Sequence, residues 1–318
     1  MVSTQRKSPT LAVIIPAFNE VETIAATINS FTAELEVTHV VVVDNNSHDG
    51  TLELAQGLAK VNPKLMVLRE IKQGKGYAVR KAFRNIDADF YVMVDADSTY
   101  SSDDLHKLLN IAKADNIDLV TGNRLANRVY VEQNSRRFHN FGNHLIRKII
   151  NQLYGSYLED ILSGYRVMSR GFVKGFPIQA RGFELETEIT LHALDRGYSM
   201  AEVPISYLSR PEGSKSKLRT FYDGRKIIFR IIKIYRIFQP LKFYGFISFG
   251  LFAAAMYFGY KPIYDFVKFS YVYHVPSAIL SSALMILASL ACMTAFILDA
   301  VADLSTKNFE MHQNRVEK

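Results

Sequence analysis

Asp95 and Asp97 lie two residues apart at the end of an apolar run, in the segment FYVMVDAD. Side chains two residues apart on an extended chain point to the same side, so both carboxylates could share one divalent cation. Mg²⁺ and Mn²⁺ suit such a site, because they accept carboxylate oxygens and keep positions for water and substrate phosphates. The alternative is a helix cap, in which Ser98, Ser101 or Asp103 begins a helix over residues 104–114. The two interpretations are compatible.

Glu20 and Asp44 follow two earlier apolar runs in the same way. If the corresponding strands are parallel, all four carboxylates lie at one edge of the sheet, where ligands bind in folds of this kind. Clustered carboxylates repel one another unless a cation or a donor-rich ligand lies between them. Asp44 also fits a turn, because the segment DNNSHDG is rich in turn-forming residues. We therefore predict ligand binding at this edge, and the turn role of Asp44 stays open.

The segments that must position these carboxylates alternate between strand and helix patterns. Short apolar runs rich in β-branched residues predict strands over residues 10–15, 40–43, 65–68 and 90–94, with Pro16 ending the first. Helices are predicted over residues 20–35, 51–59 and 77–84. The alternation is typical of the α/β class, with a mostly parallel sheet covered on both faces. The segment Gly74-Lys75-Gly76 fits neither the phosphate loop nor the dinucleotide-binding motif, which excludes both kinds of nucleotide site.

The composition limits the class of protein further. The 318 residues are 48% hydrophobic and 22% charged, which excludes a disordered or fibrous chain. The single cysteine, Cys292, excludes an intramolecular disulfide framework and fits a reducing compartment. A net charge of +7 indicates an anionic partner without identifying it.

Two uncharged runs near the C-terminus predict a transmembrane hairpin. As helices, residues 243–260 and 275–298 would reach roughly 27 and 36 Å, against about 30 Å for the hydrocarbon core of a bilayer. A pair of buried core helices is the alternative. The link over residues 261–274 has aromatic edges, as expected at a membrane interface.

The segment before the first run is basic. Residues 225–242 carry six Lys or Arg residues and no acid, and their spacing predicts a juxtamembrane interfacial helix over residues 221–242. A solvated basic helix is the alternative. Because the link between the runs carries fewer basic residues, the positive-inside rule places the N-terminal domain and the tail of residues 299–318 in the cytoplasm.

Nine segments, in order along the chain, resemble family 2 glycosyltransferases with the GT-A nucleotide-sugar-binding fold. They are IIPAFNE at 14–20, VVDNNSHDGT at 42–51, GKGYAVRKAF at 74–83, VDAD at 94–97, TGNR at 121–124, SRR at 135–137, DILSGYR at 160–166, GFELETEI at 182–189 and VPISYLSRPEGSKSKL at 203–218. The resemblance is narrower to the polyprenyl-phosphate glycosyltransferases of the dolichol-phosphate mannosyltransferase group. It implies a GT-A catalytic domain over residues 10–220 after a flexible tail of residues 1–9.

The resemblance also implies roles for residues that bind the donor. The implied donor-binding set is Pro16, Phe18, Glu20, Asp44, Asp95, Ala96, Asp97 and Lys217. Within it, Asp44 is similar to a carboxylate that accepts a nucleobase N–H. Asp95 and Asp97 match the metal and diphosphate motif, with Asp97 favoured as the direct ligand. Thr99 is the third implied metal residue, although it stands where relatives often have a Gln ligand.

Basic residues are implied near the two phosphate groups. Arg124 and Arg210 join Asp95 and Asp97 in the implied catalytic set. The implied cradle for the acceptor phosphate consists of Ser135, Arg136 and Arg137. A surface ion pair is the alternative for each arginine. Asp160 either orients the acceptor or caps a helix or turn.

The activity implied is metal-dependent, inverting transfer of a sugar from a UDP- or GDP-sugar to a polyprenyl phosphate such as undecaprenyl phosphate. The protein would lie in the cytoplasmic (inner) membrane as a multi-pass protein, with Mg²⁺ or Mn²⁺ as cofactor and no nucleic-acid partner. A homo-oligomer and a downstream flippase or lipid-sugar-using transferase are further partners that this function would allow.

Two other functions stay open. One is transfer to another membrane lipid, such as diacylglycerol or a lipid-linked sugar, and the other is an inactive membrane scaffold. A hydroxyl acceptor would need a base to remove its proton, whereas a polyprenyl phosphate is already an anion and can attack without one. No histidine in the matched segments is placed to act as a base, which favours the phosphate acceptor. Processive polysaccharide synthases use an acceptor motif that contains Trp, and the chain has no Trp.

Overall fold

The computed structural model describes residues 9–125, 137–182, 184–208, 228–229, 231–233, 235–236 and 239–316. The chain divides into two compact units, Met1–Ile231 and Ile232–Lys318. Within the described part, the first unit is an α/β domain and the second is a pair of long helices.

The first unit is built on a seven-stranded sheet in the order β3-β2-β1-β4-β6-β5-β7. The strands are β1 Leu11–Ala17, β2 His39–Asp44, β3 Leu65–Arg69, β4 Phe90–Met93, β5 Leu119–Asn123, β6 Arg166–Ser169 and β7 Met200–Pro204. Strand β6 runs antiparallel to its neighbours β4 and β5, and the other pairings are parallel. The predicted α/β class with a mostly parallel sheet is therefore confirmed.

Helices connect most of these strands. In the first unit they are α1 Ile24–Ala33, α2 Thr51–Ala59, α3 Lys75–Asn85, α4 Leu105–Ala114, α5 Arg137–Tyr154, α6 Arg170–Gly175 and α7 Leu185–Asp195. A short 3-10 helix, Ser102–Asp104, precedes α4, and the Ser101 hydroxyl caps it by accepting from the Asp103 N–H. The predicted cap at Ser101 is therefore present, and it leaves Asp95 and Asp97 of the same segment as a predicted metal pair.

Both faces of the sheet are covered, as the continuous apolar runs predict. Successive residues of a strand point to opposite faces, and the central strands divide accordingly between two buried clusters. One cluster takes Val13, Ile15, Val40, Val42 and Val92. The other takes Ala12, Ile14, Val41, Val43, Tyr91 and Met93.

Pro16 does not end the first strand, so that prediction was wrong. Strand β1 continues to Ala17, and Pro16 pairs with Val43 of β2. The pairing of β1 with β4 stops at Ile14. Beyond Ile14, strand β1 has β2 as its only strand neighbour among the described residues, so the missing N–H of proline is tolerated there.

The second unit consists of helices α8 Pro240–Phe269 and α9 Val275–Val316. Both are long and apolar enough to cross a membrane and could form a transmembrane hairpin. The Ser281 hydroxyl donates to the Ala255 carbonyl at 2.8 Å, and a Cβ on Gly259 would lie 2.6 Å from Ser281 Oγ. Small residues therefore let the two helices approach closely, as at other membrane helix contacts.

The connection between α8 and α9 is shorter than the predicted link of residues 261–274. Helix α8 continues through Pro262 to Phe269, and Ser270 ends it in the left-handed region with φ 52°. The Asp265 carboxylate accepts the Tyr273 N–H at 3.3 Å and lies 2.6 Å from His274 Nδ1. This carboxylate ties the turn to the end of α8, which the charges in the link did not reveal.

His192 of α7 is expected to make stability depend on pH. Its ring lies among Phe172, Phe176 and Tyr198, and burial, with Arg196 nearby, lowers the pKa of His192 to about 4. An unfolded histidine titrates near pH 6.5, so the unfolded state takes up the proton first as the pH falls. The stability contribution is complete above about pH 6.5 and is lost between there and about pH 4.

Replacement of His192 by Phe removes this titration. Between pH 7 and pH 4, wild type should lose about 3 kcal/mol of unfolding free energy relative to His192→Phe. Denaturant unfolding of both proteins over that range measures the difference, in which all other titrating groups cancel. A wild-type-minus-variant difference that stays constant with pH would contradict the prediction.

Candidate functional site

The carboxyl ends of β1, β2 and β4 lie at one edge of the sheet, because these strands are parallel. Loops from the first two strands are joined by hydrogen bonds. The Asn19 N–H donates to Ser47 Oγ at 3.0 Å, and the Glu20 N–H donates to Thr51 Oγ1 at 2.9 Å. The His48 N–H in turn donates to Asn19 Oδ1 at 2.8 Å. The two loops therefore form one connected wall.

Three residues of this edge have a left-handed backbone. Asn19, Asn46 and Ser98 have φ of 51°, 61° and 57°. Such conformations are uncommon for non-glycine residues and often occur at ligand sites, where the surrounding contacts maintain them. One lies after each of β1, β2 and β4, which is consistent with the ligand site predicted at this edge.

Asp44 is fully buried at the end of β2. Its Oδ2 accepts the Ser47 N–H at 3.3 Å, which fits the turn role, while Oδ1 has no hydrogen-bond partner among the described residues. A buried carboxylate oxygen without a donor is costly unless a ligand supplies one. The turn interpretation therefore accounts for Oδ2, and the ligand-binding interpretation stays a prediction for Oδ1.

Asp97 is buried, with 4% of its surface exposed. Its Oδ1 accepts the Thr99 hydroxyl at 2.6 Å and the Thr99 N–H at 3.3 Å. Thr99 is itself 1% exposed. Thr99 therefore orients the carboxylate of Asp97.

Thr23, the residue before α1, and Thr27 within α1 hold the segment between the aspartates. Thr23 and Thr27 both donate through Oγ1 to the Ala96 carbonyl, at 2.8 and 3.3 Å. Thr27 Oγ1 also lies 2.9 Å from Ser98 Oγ. Sequence reasoning missed both threonines. Their spacing of four residues on a predicted helix was the available signal.

Lys75 was also missed, although it lies in a quoted motif. Its ammonium lies 2.5 Å from Asp95 Oδ1 and 2.5 Å from Glu186 Oε1. Burial opposes the charge, but the two carboxylates outweigh it and raise the pKa of Lys75 well above its usual range. The positive charge of Lys75 therefore lies at the acidic edge itself.

Arg124 is paired with Asp160 in a bidentate arrangement. Nε and Nη2 each lie 2.8 Å from a carboxylate oxygen, and the Arg124 N–H donates to the same group at 3.0 Å. Burial disfavours the charge on Asp160, yet Arg124 outweighs it and holds the pKa of Asp160 below its ordinary value. This ion pair lies largely inside the domain, because only 11% of the Arg124 side chain and 4% of the Asp160 side chain are exposed.

Other predicted residues have the following positions. Pro16, Phe18 and Glu20 are half-buried at the end of β1 and in the loop beyond it. Arg137 is the first residue of α5, but its side chain lies outside the described residues, as do the whole of Ser135, Arg136, Arg210 and Lys217.

The donor set at the edge fits a hard divalent cation bound together with a ligand. Asp95 and Asp97 offer carboxylate oxygens of the kind that Mg²⁺ and Mn²⁺ accept. Within the described ranges no group of three or more His, Cys, Asp or Glu residues could hold a metal alone. A cation held here would thus share its coordination between the two aspartates, water and a substrate phosphate.

The glycosyl transferase family 2 profile matches residues 12–176, more than half of the chain. The chain belongs to glycosyl transferase family 2. Glycosyltransferase AglJ of Haloferax volcanii is 31% identical over 274 residues, which cover 86% of this chain and 87% of that protein. The polyprenol monophosphomannose synthase of Mycolicibacterium smegmatis is 30% identical over 223 residues, which cover 66% and 82%.

A solved structure confirms the GT-A fold. Glucosyl-3-phosphoglycerate synthase from Mycobacterium tuberculosis, in complex with Mn²⁺, UDP-glucose and phosphoglyceric acid, matches with a TM-score of 0.53. The identity is 20%, and the match covers 71% of this chain and 79% of that one. The predicted relationship of this family 2 glycosyltransferase to the polyprenyl-phosphate glycosyltransferases is also confirmed.

Proposed function

We propose that this family 2 enzyme transfers a sugar from a nucleotide sugar to a polyprenyl phosphate, with inversion at the anomeric carbon. The observation that carries the proposal is the edge that joins Asp44 to the Asp95–Asp97 pair. Asp44 Oδ1 supports recognition of the base, because a uracil or guanine ring N–H would satisfy this buried oxygen. The paired aspartates support recognition of the diphosphate through a metal.

Asp95 and Asp97 would hold Mg²⁺ or Mn²⁺ in this proposal. When bound, the cation would stabilise the negative charge that develops on the departing diphosphate. Thr99 keeps the Asp97 carboxylate in place through its hydroxyl, and Thr23 and Thr27 hold the intervening Ala96 backbone. These contacts provide preorganisation, so little rearrangement of the acidic edge is needed as the bond breaks.

The proposed reaction is a direct displacement. A phosphate oxygen of the lipid forms a bond to the anomeric carbon from the face opposite the diphosphate, and the bond to that diphosphate breaks. The products are a glycosyl polyprenyl phosphate and a nucleoside diphosphate. Because the lipid phosphate is an anion at neutral pH, no side chain needs to remove a proton from it.

The membrane hairpin supports a lipid acceptor. Helices α8 and α9 are both long enough to cross a bilayer, and the basic residues 225–242 favour a position of the adjoining domain in the cytoplasm. Anionic headgroups attract such a basic segment by about 1 kcal/mol per Lys or Arg. Ser135, Arg136, Arg137, Arg210 and Lys217 remain the proposed phosphate-binding residues.

A screen of purified protein tests the proposal. Radiolabelled UDP-glucose, UDP-N-acetylhexosamine and GDP-mannose are each incubated with undecaprenyl phosphate and Mn²⁺ or Mg²⁺, and the lipid phase is counted. We expect one donor to label the lipid, and EDTA to abolish the labelling. Diacylglycerol serves as the comparison acceptor. Labelling of diacylglycerol in place of undecaprenyl phosphate, or no labelled lipid with any donor, would overturn the proposal.

A further inference from the structure

Lys75 forms an ion triad with Asp95 and Glu186, in which the lysine and the glutamate are largely buried. The ammonium lies 2.5 Å from one oxygen of each carboxylate, and 11% of the lysine side chain is exposed, against 32% for Asp95 and 5% for Glu186. The three residues belong to α3, to the segment after β4 and to α7. One positive charge therefore faces two negative charges, and one of these belongs to the proposed metal pair.

The glycines on either side of Lys75 explain how the lysine becomes buried. A Cβ on Gly74 would lie 1.9 Å from the Arg181 carbonyl oxygen, and a Cβ on Gly76 would lie 2.1 Å from the Ala180 carbonyl oxygen. Only glycine permits this approach of two backbones. The segment before α7 therefore packs directly against the start of α3, and this packing places Glu186 beside Lys75.

Two further contacts fix the position of the triad. The Asn45 side chain donates to the Glu70 and Lys72 carbonyls and accepts the Gly74 N–H at 2.6 Å, which anchors the start of α3 beside Asp44.

On the opposite side, a Cβ on Gly164 would lie 2.5 Å from Asp95 Oδ2. Asp95 is thus confined between Lys75 and the backbone of Gly164.

We propose that Lys75 is a positioning residue that divides its charge between Asp95 and Glu186, and so sets how strongly Asp95 can attract the divalent cation. This inference rests on the proposed function, because it assumes a cation at the aspartate pair. Because the ammonium is paired with both carboxylates, it neutralises Asp95 only in part while Glu186 is present. Its removal leaves the whole charge on Asp95, which weakens cation binding without any change in the aspartates themselves.

The charges predict opposite effects for the two partners. Glu186→Gln should raise the Kd for Mn²⁺ about tenfold, because Lys75 then neutralises Asp95 alone. Lys75→Met should lower that Kd severalfold, because two carboxylates remain without the cation, while kcat falls because Asp95 is no longer held. The double variant Lys75→Met/Glu186→Gln restores the net charge and should return the Kd to within about threefold of wild type.

The test measures Mn²⁺ binding without turnover. Full-length protein in detergent is titrated with MnCl₂ alone, and free Mn²⁺ is followed by electron paramagnetic resonance. Lys113→Met is the matched control, because it removes a lysine that is paired with Glu36, near the amino end of β2. Sugar transfer is measured in parallel with the donor and acceptor found by the screen. If Lys75→Met does not fold, Glu186→Gln and the double variant still give the sign of the effect.

The outcomes separate this inference from the proposed function. A raised Kd in Glu186→Gln, restored in the double variant, supports the division of charge. Wild type that binds Mn²⁺ and transfers sugar, with the same Kd in Glu186→Gln, would overturn this inference alone. Wild type that transfers sugar without binding Mn²⁺ would also overturn this inference alone, and wild type that neither binds Mn²⁺ nor labels any lipid would overturn both.

Discussion

Asp97→Asn is expected to reduce sugar transfer by roughly 10²–10³-fold while the protein remains folded. The amide keeps the size of the carboxylate, and its oxygen can still accept the Thr99 hydroxyl that lies 2.6 Å from Asp97 Oδ1. What the change removes is a negative charge at a buried position beside Asp95. The loss should therefore appear in kcat and in Mn²⁺ affinity, and not in thermal stability.

Two controls sharpen this prediction. Asp103→Asn removes an exposed acid of the same segment and should leave transfer unchanged. Thr99→Val removes the hydroxyl that orients Asp97 and should cost less, about tenfold, because the carboxylate itself remains. Transfer assays with saturating donor compare the three variants. Full activity in Asp97→Asn would exclude a role of this carboxylate in the reaction.

Asp160→Ala is expected to destabilise the domain by about 3–5 kcal/mol. The change removes the carboxylate that accepts two hydrogen bonds from the largely buried Arg124 guanidinium and a third from the Arg124 backbone N–H. An uncompensated charge inside a domain costs far more than the net contribution of the pair. Thermal unfolding of the purified protein should show a Tm lower by roughly 10 °C.

The matched control is an ion pair at the surface of the same domain. Asp87 and Arg170 lie 2.9 Å apart, but their side chains are 62% and 41% exposed. Asp87→Ala should cost less than about 1 kcal/mol, because water screens and solvates both charges. The double variant Arg124→Met/Asp160→Leu should recover much of the stability that Asp160→Ala loses. Equal losses in Asp160→Ala and Asp87→Ala would show that burial does not govern the effect.

The acidic edge could be predicted because it follows from local patterns. Short apolar runs predicted strands β1, β2 and β4, and parallel strands end at the same edge of a sheet. The positions of Asp44, Asp95 and Asp97 follow from these two facts alone. Pro16 shows where the local rule failed, since its place in β1 depends on β4 pairing no further than Ile14. A neighbouring strand decides that, and proline by itself does not.

Lys75 could not be assigned in the same way. Its partner Glu186 lies 111 residues away in the sequence, and no periodicity links the two positions. Arg124 illustrates the same limit, because the sequence permits a phosphate contact or an ion pair, and the fold provides Asp160 as its partner. Such contacts depend on how distant segments pack.

By itself, the sequence determined the fold class, the family, the apolar C-terminal helices and the carboxylates at the sheet edge. Each of these depends on residue type and short-range spacing, which strands and helices convert directly into a face or an end. Only the tertiary structure decided which cation stands beside Asp95 and which oxygen of Asp44 lacks a donor among the described residues. The physical reason is that charges and hydrogen-bond donors are matched in space across chain-distant segments, and close packing at glycines such as Gly74 and Gly76 brings those segments together.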